Sequence, residues 1–122
     1  MPQIDRAYMA IALVLLIAGE MLGFTMGMKA ETYWRSVHIT ILLPGFVTMA
    51  VFAATFRLWP TLKRGTLAQA QFWLTVIGLA GILAGEVQRT LTGQVVLLAS
   101  GSGVMIAGTL LLGWLFYARG SA

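Results

Sequence analysis

The chain has no cysteine, which excludes disulfides, thiolate metal sites and iron–sulfur clusters and leaves its redox compartment open. It has one histidine in 122 residues. Zinc and copper sites need three or four donors, so that histidine cannot build either by itself. Charge is also scarce. Asp, Glu, Lys and Arg make up 10% of the residues, against about 25% in an ordinary soluble domain. No nucleophile–base arrangement, phosphate-binding loop or internal repeat is evident. What is abundant is apolar: 59% of the residues are hydrophobic and the mean hydropathy is +0.87. No soluble core of this length could hide that surface, so the solvent must be lipid.

The net charge of +4 does not point to nucleic acid, because the eight basic residues are scattered singly at segment ends and form no patch. They read as topology determinants. A membrane-spanning helix needs about 20 mostly apolar residues. Four stretches qualify, 7–28, 37–59, 68–86 and 94–117, joined by short connections. The expected fold is therefore all-α, a single transmembrane domain built as a four-helix up-and-down bundle. The apolar N-terminal run is too long for the core of a signal peptide and is interrupted by Glu20, so it reads as a retained span. With the N-terminus inside, Arg6, Arg57, Lys63, Arg64 and Arg119 fall on the inner side and Lys29, Arg35 and Arg89 on the outer side. That bias predicts cytoplasmic termini. Trp34, Trp59 and Trp114 fall near the predicted interfaces.

Small residues and rare polar ones mark the spans. Gly19, Gly23 and Gly27 recur every four residues, and Gly81 and Gly85 repeat the spacing, a pattern that lets helix backbones approach closely. Whether the partner helix belongs to this chain or to another copy is open at this stage. Glu20, Glu86 and His38 lie at or near membrane depth, where a charge costs about 2.5–3.5 kcal/mol on insertion scales. Glu20 reads either as a neutral hydrogen-bonded carboxyl or as a proton- or cation-binding carboxylate. Glu86 stands at the outer end of the third span, three residues before Arg89, the spacing of a helical ion pair, and reads as a solvated interface charge. His38 falls in the first turn of the second span, as a hydrogen-bonded interface residue or as a ligand. Haem iron needs only one or two axial donors, so a lone histidine suits haem better than any other metal.

The stretch His38-Ile-Thr-Ile-Leu-Leu-Pro-Gly-Phe-Val-Thr-Met-Ala-Val-Phe-Ala-Ala-Thr-Phe-Arg-Leu-Trp-Pro60 resembles the tenth helix of the haem–copper oxidase catalytic subunit. That helix opens with a His-x-His pair and closes with a tryptophan–proline element. Gln71-Phe72-Trp73-Leu74 is similar to the start of the family's eleventh helix, and the whole chain resembles short four-span proteins related to oxidase subunit I. The resemblance implies that His38 matches the histidine that ligates the active-site haem. Thr40 stands where the family's second haem histidine would be. It further implies haem b, with Arg35 and Arg89 near its propionates, an unknown redox partner and a bacterial inner (cytoplasmic) membrane. The copper-ligand histidines and the family's paired arginines are missing, so the resemblance does not extend to a copper site or to a complete oxidase in this chain alone.

Three readings follow. One is a haem-b protein for electron transfer or diatomic gas binding, with His38 as axial ligand in a homo-oligomer, a dimer or trimer. Another is a non-catalytic scaffold subunit without cofactor. The third is a proton/cation antiporter, because Ala18-Gly-Glu-Met-Leu-Gly-Phe-Thr-Met-Gly-Met-Lys29 resembles the glutamate-bearing first helix of small multidrug-resistance exporters.

Overall fold

The computed structural model describes residues 3–119. Four helices carry the fold: α1 (Ile4–Lys29), α2 (Arg35–Leu58), α3 (Gly65–Thr92) and α4 (Val96–Arg119). Each is long and apolar enough to cross a bilayer, and together they make the chain an all-α integral membrane protein. With four crossings and short connections, the two ends of the described chain share one side.

The helix ends follow local chemistry rather than hydropathy. α3 runs on to Thr92, beyond the end at 86 that hydropathy suggests, since nothing from Val87 to Thr92 breaks a helix. Gly93 then stops it in the left-handed region (φ 81°), donating its backbone N–H to the Arg89 carbonyl at 2.8 Å. α1 ends at Ala30, also left-handed (φ 52°), with the Glu31 N–H returning to the Met26 carbonyl at 3.1 Å.

α2 is interrupted. Ile41–Val47 widens into a π-helical segment containing Pro44, and regular α-helix resumes at Thr48. Proline has no N–H to donate and its ring crowds the preceding turn, so the ladder must re-phase around it. The Leu43 carbonyl is reached by the Thr48 N–H across the wide turn and also accepts from Thr48 Oγ1 at 3.2 Å.

The helices associate as two antiparallel hairpins. In α1–α2, a methyl group built on Gly19 would fall 2.6 Å from Leu42, and one on Gly23 would fall 2.8 Å from the His38 ring. Gly45 receives Leu15 from the opposite side. Gly27, the third member of the expected stripe, meets nothing within 4 Å. The α3–α4 hairpin is closer. Gly78 lies against the Met105 backbone, Gly81 against Gly101, Gly85 against the Leu98 backbone and Gly108 against Thr75. These neighbours lie within this chain. Lipid gives helices no hydrophobic reason to associate, so backbone approach and its dispersion contacts hold each hairpin.

The buried core lies toward the end that carries the chain termini. Tyr8 is fully buried with its ring 5.6 Å from Phe52, 5.9 Å from Phe56 and 5.0 Å from Phe72. Gly81→Val should force α3 from α4 and cost about 1–3 kcal/mol, read as a lower melting temperature in detergent. Gly103→Val adds a side chain where nothing lies within 4 Å and should shift stability by less than about 0.5 kcal/mol.

Candidate functional site

His38 sits in the first turn of α2, half-buried, with its ring edge against Gly23 of α1. Only glycine at position 23 lets the ring lie on the α1 backbone. Its Nδ1 is closed off from solvent and has no hydrogen-bond partner among the described residues. An unpartnered buried nitrogen calls for a reason, because burial without a bond costs about 1–3 kcal/mol. Nε2 is not closed off in that way.

The residues expected beside His38 are arranged unevenly. Arg35 is one turn earlier and exposed, and its side chain makes no ion pair or hydrogen bond among the described residues. Arg89 is occupied: its Nη2 donates to Glu86 Oε2 at 2.8 Å, the i,i+3 pair that the sequence spacing indicated. Glu86 is 9% exposed and lies within α3 rather than at its end. Thr40 is buried at 8% exposure. Residues two apart on a helix diverge by about 200°, so His38 and Thr40 serve different sides of α2. Tyr33 stacks edge-on against Trp34 and donates to the Thr90 carbonyl at 3.2 Å, tying this turn to α3.

Glu20 is on the lateral surface of α1. It is exposed and lines a shallow groove with Met21, Phe24 and Thr25. Thr25 does not partner it, since its hydroxyl donates to the Met21 carbonyl at 2.9 Å. Among the described residues Glu20 forms no ion pair or side-chain hydrogen bond with His38 or with the interior polar groups.

Those interior groups are absent from the sequence-based candidates. The Tyr8 hydroxyl donates to Gln71 Oε1 at 2.6 Å, and Gln71 Nε2 donates to Thr75 Oγ1 at 3.1 Å and to the Gly108 carbonyl at 3.2 Å. Thr75 Oγ1 in turn donates to the Gln71 carbonyl at 2.9 Å. Tyr8, Gln71 and Thr75 are all fully buried. A glutamine inside a predicted span was the available signal, since an amide in hydrocarbon requires partners. At the same end of the bundle as the termini, Asp5 receives Lys63 at 2.9 Å and Arg57 at 3.2 Å.

No family model matches the chain, and no curated protein or solved structure is significantly similar to it.

The interior network has a measurable signature. Tyr8→Phe keeps the ring packing but strands Gln71 Oε1, and should cost about 1–3 kcal/mol. Adding Gln71→Leu removes the stranded group, so the double variant should lose less than the two single losses combined.

Proposed function

We propose that the chain is a small membrane haem-b protein in which His38 supplies an axial imidazole at a boundary between copies of the chain. The placement of His38 carries this reading: it is the only imidazole, it is half-buried, and its Nε2 is left open while Nδ1 is sealed inside with no partner among the described residues. The donor set fits haem at a boundary better than inside one chain. The α1 backbone at Gly23 occupies one edge of the ring, and Thr40 offers no second imidazole within. Arg35 and Arg89, at the same end of the bundle, are the cations available to pair with propionates, Arg35 more readily because Arg89 already holds Glu86. A bound haem would supply one-electron transfer or diatomic gas binding. Two copies of the chain would give two axial histidines, whereas one copy would leave an open side. Reduction of oxygen by the oxidase route is outside this reading, because one histidine per chain cannot also hold copper.

A second reading, a scaffold subunit without cofactor, is favoured by one observation. His38 serves the α1–α2 contact through the same ring that the haem reading needs. The visible spectrum of detergent-purified protein, oxidised and dithionite-reduced, beside folded His38→Ala separates the two. A Soret band lost in the variant is the expected result, and its position distinguishes one axial ligand from two. Colourless protein after haem supplementation overturns the haem reading in favour of the scaffold.

We place the termini in the cytoplasm because five of the eight basic residues lie at that end of the bundle, and take a bacterial inner membrane as the location from the oxidase-like stretch alone. The absence of cysteine makes this directly measurable. A single cysteine at Thr32 should react with an impermeant maleimide from outside the cell, and one at Thr66 should not; the reverse pattern would invert the topology.

A further inference from the structure

At the end of the bundle that carries the termini, a groove of about 440 Å³ opens between α1 and α2. Its apolar wall is Met9, Ala53, Ala54 and Leu58, and Asp5, Arg6 and Arg57 also line it. The charged residues stand one helical turn nearer the chain ends than Met9 and Ala53, so the groove runs from a charged rim into the hydrocarbon region. Small side chains at Ala53 and Ala54 leave the recess, where larger ones on α2 would fill it.

The rim is unbalanced. The Asp5 carboxylate is 5% exposed and already holds Lys63 at 2.9 Å and Arg57 at 3.2 Å. One negative charge therefore meets three positive ones in Arg6, Arg57 and Lys63. Lys63 is largely covered, with its side chain 20% exposed, whereas Arg57 is 75% exposed even while it holds Asp5. Arg6 is exposed and makes no ion pair among the described residues. Two guanidinium groups thus face outward above an apolar recess, with Asp5 neutralised from behind.

We infer that this groove binds an anionic phospholipid from the leaflet on the terminus side, with its phosphate on Arg6 and Arg57 and one acyl chain along Ala53, Ala54 and Met9. The charge calls for a phosphate without a compensating cation, and the apolar recess calls for a tethered hydrocarbon chain. A free phosphate would leave the recess uncovered, and a zwitterionic lipid would bring a cation to a rim that already has an excess. Guanidinium groups suit the phosphate, since each can bind it with two parallel hydrogen bonds. The inference depends on the chain spanning a membrane and is independent of the haem reading.

The test is native mass spectrometry of the full chain released from nanodiscs of equal parts phosphatidylglycerol and phosphatidylcholine. Retained phosphatidylglycerol should exceed phosphatidylcholine by about 10- to 30-fold, the preference expected of two net cations near the membrane surface. Arg6→Gln with Arg57→Gln should abolish the preference, whereas Arg35→Gln at the opposite end should leave it intact. Ala54→Leu, which fills the recess without altering charge, should reduce retained lipid while circular dichroism remains unchanged. Equal retention of both lipids by the unmodified chain would overturn the inference. So would an undiminished preference in the folded double variant, or inorganic phosphate displacing phosphatidylglycerol as readily as excess phosphatidylglycerol does.

Discussion

The hydrogen bond from Tyr8 to Gln71 is the interaction on which the rest of the bundle depends, because it joins two hairpins that are each held separately by glycine contacts. Tyr8 belongs to α1 and packs its ring on Phe52 and Phe56 of α2 and Phe72 of α3. Gln71 carries the connection on to the Gly108 carbonyl of α4. One tyrosine and one glutamine therefore engage all four helices. In lipid such a link matters because apolar surfaces gain nothing from leaving an equally apolar solvent. A single interhelical bond of this kind contributes about 0.6–2 kcal/mol, and here each donor and acceptor of the relay has its partner. Asp5 with Arg57 and Lys63 then fastens the terminus end, where α1 begins and α2 turns into the Pro60–Lys63 3₁₀ segment.

The opposite end is less completely satisfied, and the candidate site lies there. The π segment around Pro44 separates the regular part of α2, which packs on Tyr8, from the first turn that carries His38. Widened turns of this kind change the phase of the side chains before them relative to those after them. The turn bearing His38 is tied to α3 through Tyr33 and to α1 through the contact with Gly23. The imidazole is consequently held in place by packing while one of its nitrogens stays unbonded. The unbonded atom is the sealed Nδ1, so Nε2 is the one left to meet anything outside the chain, and the orphaned Nδ1 is the weak point of this turn.

Glu20 illustrates the opposite case. It lies outside the core, next to Met21 and Phe24 on the lateral surface, so any partner it has comes from beyond the described residues of this chain. The exporter-like reading of α1 would require that surface to be covered by another helix, which would also lower the cost of a carboxyl group at this depth.

Most of the architecture was legible in the residues themselves. Runs of apolar side chains long enough to cross a bilayer leave helix as the only open-ended solution for the backbone, so span number and fold class follow from composition and spacing. The Glu86–Arg89 pair was readable for the same reason, since neighbours three apart on one helix meet whatever the rest of the chain does. Contacts between helices were not. Gly19 and Gly23 proved to face α2 and Gly27 faced nothing, although all three share one spacing. The bond between Tyr8 and Gln71 has no sequence signature, because it forms only where α1 and α3 come together. Helix formation is local and was settled by the sequence, whereas the pairing of polar groups across helices depends on rotation and depth, which only the packed bundle decides.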